Sequence, residues 1–170
     1  SEVGQPSLAL GLLQADCARH RVSSRVVHAN MWFSEEIGPA AFDMIYQAYS
    51  TTLIGEWTFA SALFPDFEPD DERYLNKVVA MFKLDSRSQW RHLQRRYPYL
   101  DQISLLREIR RRAPEFVGRM ADRVLELDPK IVGCSSTFQQ HCASLALLRA
   151  VKQRRPDVVT MIGGANCEGD

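Results

Sequence analysis

The sequence has no excess of charge of either sign and no long apolar run. Lysine plus arginine and aspartate plus glutamate each number 21 in 170 residues, so the formal net charge is zero. A balanced charge gives no overall field that would favour nucleic acid or a membrane surface as a partner. The apolar stretches are shorter than the roughly 18–20 residues of a membrane-spanning helix, and the polar segment Ser1–Pro6 does not resemble a secretion signal. We therefore expect a cytoplasmic protein that binds neither nucleic acid nor membranes.

Cysteines are few, and common catalytic motifs are absent. Cys17, Cys134, Cys142 and Cys167 form no Cys-x-x-Cys pair, so we expect reduced thiols and no structural zinc. The sequence has no Gly-x-Ser-x-Gly elbow, no Walker loop and no Gly-x-Gly-x-x-Gly fingerprint. Classical nucleophile and metal-binding constellations are thus absent from the sequence. The composition, 45% hydrophobic and 25% charged, is that of a globular chain.

The sequence does contain helix and strand patterns that alternate near both ends. Near the start, Pro6–His20 has helical spacing and Ser24–Ala29 resembles a short buried strand. This order is half of a strand–helix–strand unit, and we expect that its preceding strand was lost. Near the end, the patterns predict a helix over 116–127, strands over Ile131–Ser135 and Val158–Ile162, and a helix over Gln139–Arg155. We therefore expect an α/β fold with a parallel sheet, a right-handed crossover and at least one unpaired sheet edge.

Residues 31–113 interrupt this alternation, and we expect a helical insertion within a single domain of residues 1–170. Four segments have helical patterns: Ile37–Tyr49, Thr51–Phe64, Glu72–Phe82 and Ile103–Arg112. Trp57, Phe59 and Phe64 are expected to pack in an apolar layer, with a cofactor-covering role as the alternative. The arginines favour a solvated helix face, with contact to phosphate or an acidic peptide as the alternative. They are Arg91, Arg95, Arg96, Arg107 and Arg110–Arg112.

Two polar loops follow the predicted strands and should emerge at one sheet edge, where open α/β sheets bind ligands. In the first loop, the pairs Ser136 with Gln139 and Thr137 with Gln140 fit capping boxes. The alternative is that its hydroxyls and the helix N-terminal amides hold an anionic or amide-bearing ligand. The second loop opens with Gly163-Gly164, which forms a turn or lets a ligand approach the backbone. His141 is the histidine nearest to this predicted site.

Several segments together resemble a known family. They are Val132-Gly133-Cys134-Ser135-Ser136-Thr137-Phe138-Gln139-Gln140, Ala143-Ser144-Leu145-Ala146-Leu147, Gly163-Gly164-Ala165-Asn166-Cys167-Glu168-Gly169, Pro6-Ser7-Leu8-Ala9-Leu10-Gly11-Leu12-Leu13, Leu53-Ile54-Gly55-Glu56-Trp57 and Ala62-Leu63-Phe64. The chain is similar over almost its whole length to the cobalamin-binding N-terminal part of radical S-adenosylmethionine enzymes that mature ribosomally made peptides.

The resemblance implies a truncated, Rossmann-like cobalamin-binding domain. The serine loop and the double-glycine loop would flank the dimethylbenzimidazole tail of cobalamin. The cofactor-binding residues so implied are Ser135, Ser136, Thr137, Phe138, Gln139, Gly163, Gly164, Ala165 and Asn166. The Asp-x-His-x-x-Gly motif that often supplies a cobalt ligand is absent, so the resemblance assigns no metal-ligating residue here.

The resemblance also implies partners that this chain lacks. Its sequence has no Cys-x-x-x-Cys-x-x-Cys motif, so the 4Fe-4S cluster and S-adenosylmethionine would belong to a C-terminal radical domain of the parent enzyme. We expect that parent to be a peptide C-methyltransferase acting on a ribosomal peptide, and we assign no catalytic residue to this chain. The alternative is a non-catalytic Rossmann-like module that senses cobalamin or a nucleotide.

Overall fold

The computed structural model describes residues 7–48, 50–81 and 87–168 and shows a mixed α/β chain that is mostly helical. Its helices are α1 (Leu8–Arg19), α2 (Ala29–Ile37), α3 (Pro39–Tyr46), α4 (Ile54–Leu63), α5 (Asp71–Met81), α6 (Arg87–Arg96), α7 (Gln102–Leu125) and α8 (His141–Arg154). Its strands are β1 (Ile131–Ser135) and β2 (Val159–Gly163). Within these ranges, no helix is both long and apolar enough to cross a membrane.

The predicted strand–helix–strand unit is confirmed. Strand β1 has the predicted bounds, β2 starts one residue later than predicted, and the two strands are parallel neighbours. Helix α8 packs on one face of the sheet and forms a core with it and with α7, which we name the sheet core. Its buried members are Leu63, Val117, Ala121, Val124, Val132, Ala146, Leu148, Ala150, Val151 and Val158.

Helix α7 runs through Pro114, so the prediction that the helical pattern would stop before this residue is wrong. A proline inside a helix removes the bond to the carbonyl four residues earlier and costs about 3 kcal/mol. Helix α7 buries an apolar stripe on both sides of the proline, which offsets this cost. The buried apolar residues of the stripe are Leu105, Leu106, Ile109, Ala113, Phe116, Val117, Met120, Ala121 and Val124. Helix α7 therefore extends without a break from Gln102 to Leu125.

The strand predicted over Ser24–Ala29 is also wrong. Residues 22–28 have no regular secondary structure and pair with no strand in the part of the chain that the structure describes, and α2 begins at Ala29. An apolar pattern can predict extended backbone, whereas a strand also needs a neighbour to complete its hydrogen bonds. The preceding helix α1, which confirms the helix predicted over Pro6–His20, buries none of its residues.

A second, larger core lies among the helices. Its largest fully buried side chains are Ile37, Ile54, Leu75, Leu105, Leu106 and Ile109. Phe59 of α4 and Leu147 of α8 contact both cores, so α4 joins the helices to the sheet. The predicted packing is confirmed for Trp57 and Phe59 but is wrong for Phe64, which is 53% exposed just beyond the end of α4.

One face of the sheet is open to solvent. Ile131, Val159 and Met161 point to this face, and each exposes more than half of its surface, at 58%, 53% and 56%. Each strand also has a single partner among the described residues, so the expected unpaired edge is confirmed. The sequences of both strands are free of charged residues and proline, which natural proteins use to protect sheet edges.

We expect this unprotected sheet to cause self-association. Substituting Met161→Lys should shift the chain towards monomer at tens of micromolar concentration, because the new charge opposes stacking of sheets. The aliphatic part of lysine can still cover Gly133, against which Met161 packs. Sedimentation velocity measures the change. A matched control is Met81→Lys on α5, where the methionine is 49% exposed; equal effects of the two substitutions would contradict the prediction.

Candidate functional site

The two polar loops lie side by side at one end of the sheet, as predicted. Ser135 pairs with Gly163 in the strand register, and the amide of Ser136 donates to the carbonyl of Gly163 at 2.7 Å. The sheet hydrogen bonding thus continues one residue beyond the end of β1. We use the name rim for the residues Ser135–Gln139 and Gly163–Asn166, which carry all of the predicted site residues.

Ser136 and Asn166 join the two loops of the rim. Ser136 is fully buried, and its Oγ accepts a hydrogen bond from Nδ2 of Asn166 at 3.0 Å. The same Nδ2 donates to the carbonyl of Thr137 at 2.6 Å, and the Asn166 amide donates to the carbonyl of Ser136 at 3.2 Å. Three bonds from one asparagine therefore hold the two loops together, which is a structural role.

The two glycines of the rim differ in their surroundings. Gly164 has φ +104°, and a Cβ at this position would lie 2.4 Å from the carbonyl oxygen of Ser136. Gly164 is therefore needed for its backbone angle and for close approach of the protein's own backbone. A Cβ at Gly163 would meet nothing within 4 Å. Gly163 and its register partner Ser135, which is half-buried, thus lie beside open space.

His141, the first residue of α8, lies near the predicted site, where it contacts Ser136. Its Nδ1 is 3.0 Å from Oγ of Ser136. A serine hydroxyl next to an imidazole is one way to activate a nucleophile. A nucleophile must also reach its substrate, and Ser136 has no exposed surface. The pair therefore orders the rim and is not a catalytic dyad.

Neither predicted capping box forms at the start of α8. Thr137 Oγ1 donates to Gln140 Oε1 at 3.2 Å, and the N-cap residue Gln140 makes no side-chain capping bond. The first two amides of α8 instead donate to the carboxylate of Glu56 on α4, from His141 at 2.9 Å and from Cys142 at 2.6 Å. The cap thus comes from a residue 85 positions earlier in the chain.

Gly55, the neighbour of Glu56, holds the rim from the same side. Its amide donates to Oε1 of Gln139 at 2.8 Å, and Gln139 has φ +58°. A Cβ at Gly55 would lie 2.7 Å from the carbonyl oxygen of Gln139, so the glycine permits close approach. The contact of Gly55 and Glu56 with the rim was not predicted from the sequence, where these residues appear only within a family-like segment. A contact across more than 80 residues leaves no local sequence pattern.

The remaining rim residues are more exposed. Thr137, Ala165 and Asn166 are exposed, and Phe138 exposes 79% of its surface. Two surface cavities lie elsewhere, around Trp32, with volumes of about 430 and 280 Å³. The first is lined by Arg25, Val26, Val27, Trp32, Arg123, Glu126 and Leu127, and the second by Trp32, Glu35, Glu36, Phe116, Arg119, Met120 and Arg123. Neither lining includes a residue of the rim.

The cysteines near the rim have suppressed acidity. Burial raises the pKa of Cys134 to about 11, while burial and then the Glu56 carboxylate raise that of Cys142 to about 12. All four cysteines are free, and across residues 7–48, 50–81 and 87–168 no group of three or more His, Cys, Asp and Glu residues is placed to hold a metal ion.

These pKa values predict selective alkylation. At pH 8 both thiols stay protonated, because the pH lies well below their raised pKa values, and only the thiolate is nucleophilic. The exposed Cys167 should therefore react with iodoacetamide roughly tenfold faster or more than Cys134 and Cys142. Peptide mass spectrometry gives the three rates, with the chain in guanidinium chloride as the control in which they converge. Equal rates in the folded chain would contradict the described burial.

Comparison of the chain with protein-family models, with curated proteins and with solved structures gives no match.

Proposed function

We propose that the chain is a Rossmann-like cobalamin-binding domain of a radical S-adenosylmethionine enzyme that modifies a ribosomal peptide. Three features support the proposal: the parallel strand–helix–strand unit, the meeting of two loops at the carboxyl ends of its strands, and the family-like segments that lie on those loops. Ligands of open α/β sheets bind at such strand ends. The observation that carries the proposal is the open space beside Gly163 and Ser135.

This open side of the rim suits the uncharged parts of a large ligand. Gly163 presents bare backbone, Ser135 presents a hydroxyl, and the exposed ring of Phe138 follows in the same loop. Cobalamin offers flat apolar rings and many neutral amides, which pair with such groups. The space between Ser136 and Gly164 is filled by their own contact. We therefore place the cofactor against Ser135 and Gly163 rather than between the two loops, which amends the arrangement that the resemblance implied.

We assign cofactor binding to this chain and radical chemistry to another domain of the parent enzyme, according to the residues that this chain contains. Cobalamin, when bound, carries a methyl group between a donor and an acceptor, and this chain would bind and orient it. The sequence lacks the three-cysteine motif that a 4Fe-4S cluster needs. Generation of the radical from S-adenosylmethionine and contact with the peptide are therefore assigned to a separate C-terminal radical domain of the parent enzyme, a C-methyltransferase.

The test is titration of the chain with hydroxocobalamin, followed by its ultraviolet–visible spectrum. The wild-type chain should bind, and Gly163→Val should weaken binding at least about tenfold, which is roughly 1.4 kcal/mol, because valine fills the open space. Valine suits a strand, and its Cβ meets no neighbour, so the thermal melting of the variant without ligand should match that of wild type.

Gly11→Val is the matched control, since Gly11 also has open space around its Cβ but lies in α1. It should leave cobalamin binding unchanged. A folded Gly163→Val variant that binds like wild type would remove the rim from the cofactor site. A wild-type chain that leaves the hydroxocobalamin spectrum unchanged would contradict the proposed function itself.

A further inference from the structure

The larger of the two cavities around Trp32 has the size and the apolar lining of a small-molecule site. Its volume is about 430 Å³, and sites for small molecules usually measure about 300–1,000 Å³. The apolar part of its lining consists of the half-buried indole of Trp32, the half-buried Val26 and Val27, and Leu127, which exposes 52% of its surface. A ligand with an apolar body would therefore find contacts here that water does not use.

The charges in this lining are not balanced. Arg25 and Arg123 contribute two guanidinium groups, whereas Glu126 contributes a single carboxylate. Within residues 7–48, 50–81 and 87–168, the side chains of both arginines are without an ion pair and without a hydrogen bond. One positive charge is thus left over in the lining, and a ligand with one negative charge would neutralise it.

The smaller cavity has no such excess of positive charge. Its volume is about 280 Å³, and it shares Trp32 and Arg123 with the larger cavity. Its charged lining also includes Glu35, Glu36 and Arg119, and Arg119 already forms an ion pair with Glu36. Two arginines against two glutamates leave no net charge, so the larger cavity is the one that suits an anion.

Arg123 is held in a position from which it can bind an oxyanion. Its Cζ lies 4.4 Å from the centroid of the Trp32 ring, so the guanidinium rests on the indole. A guanidinium on an aromatic ring keeps its N–H donors, whose planar fork matches the two oxygens of a carboxylate. The contact with Trp32 also orders the side chain before a ligand arrives, which lowers the entropy cost of binding.

We propose that the larger cavity binds a small monocarboxylate with an apolar body. The carboxylate pairs with Arg123 and Arg25, and the apolar body contacts Trp32 and Leu127. The negative charge of Glu126 repels a second negative charge on the ligand, which disfavours dianions such as phosphate monoesters. This inference does not depend on the cobalamin proposal, because the lining includes no residue of the rim.

The test uses phenylbutyrate as the probe and the uncharged phenylbutanol as its matched analogue. Proton–nitrogen correlation NMR follows the indole N–H signals, and Trp32→Phe identifies the signal of Trp32. That signal should shift saturably with millimolar phenylbutyrate, whereas the signal of Trp57, whose Nε1 donates to Asp71 at 2.8 Å, should stay in place. Phenylbutanol should bind at least about fivefold more weakly, because it lacks the charge that pairs with the arginines.

Arg123→Gln and Arg25→Gln should each weaken phenylbutyrate binding about fivefold, the upper end for one exposed ion pair. Both should leave phenylbutanol binding unchanged. Both arginines are exposed, so the variants should stay folded, and each tests the site without the other. Arg73→Gln is the matched control, because Arg73 is an exposed arginine of α5 that lines neither cavity.

Three results would each overturn the inference. The first is a Trp32 signal that does not move with phenylbutyrate. The second is equal binding of phenylbutyrate and phenylbutanol by the wild-type chain. The third is phenylbutyrate binding by folded Arg123→Gln and Arg25→Gln that is as tight as that of Arg73→Gln.

Discussion

Replacing Gly164 with valine should destabilise the ligand-free chain by roughly 3 kcal/mol or more. Two costs combine at this position. The backbone has φ +104°, which a β-branched residue adopts only with strain, and a Cβ would lie 2.4 Å from the carbonyl oxygen of Ser136. Ser136 cannot move away easily, because it is fully buried and bonded to Asn166 and His141.

Chemical denaturation of Gly164→Val and Gly163→Val measures this difference. The neighbouring glycine has neither a positive φ nor a close contact, so its variant should stay within about 0.5 kcal/mol of wild type. The comparison also separates folding from ligand binding. Gly164→Val could lose cobalamin binding simply because the chain is destabilised, whereas Gly163→Val should stay folded. A Gly164→Val chain as stable as wild type would contradict the described contact between the two loops.

Replacing Arg110 with alanine should cost about 3 kcal/mol of stability. Arg110 is 9% exposed, which contradicts the prediction that it belongs to a solvated arginine face. Its guanidinium donates to the carbonyl of Trp57 and lies 4.6 Å from the centroid of that ring. A hydrogen bond from a charged donor is worth about 1.5–3 kcal/mol and a desolvated cation–π contact about 2 kcal/mol.

The adjacent Arg111 is the natural control for this prediction. Its side chain is 72% exposed and pairs with Glu108 on the helix surface, an arrangement worth at most about 1 kcal/mol. Denaturation curves of Arg110→Ala and Arg111→Ala should therefore differ by about 2 kcal/mol or more. Equal destabilisation would show that the stack of Arg110 on Trp57 contributes nothing to the fold.

Sequence patterns predicted correctly those elements whose bounds depend on nearby residues. Strand β1 is a short apolar run that follows Pro129, and α8 ends just before Pro156, so proline and periodicity together predicted these bounds closely. The parallel pairing followed from the order of the elements. The meeting of the two loops at one sheet edge followed in turn, because parallel strands end on the same side.

Tertiary packing overrode local patterns at three places. The stripe buried along α7 outweighs the cost of Pro114, so one long helix replaces a predicted break. Ser24–Ala29 lacks a partner strand among the described residues, so no strand forms there and α2 begins at Ala29. Arg110 is buried because α4 places Trp57 against it, and neither residue's neighbours in sequence indicate that contact.

At the candidate site, the sequence by itself determined which residues reach the rim, since strand ends and loop composition are local properties. Only the tertiary structure decided what those residues do. It left open space beside Gly163 but placed Gly164 in close contact with Ser136. It buried Ser136 between the two loops and brought the Glu56 carboxylate to the first amides of α8. The physical reason is that these roles depend on contacts between residues that lie 28 to 86 positions apart in the sequence. Only the packing of the helices on the sheet determines those contacts.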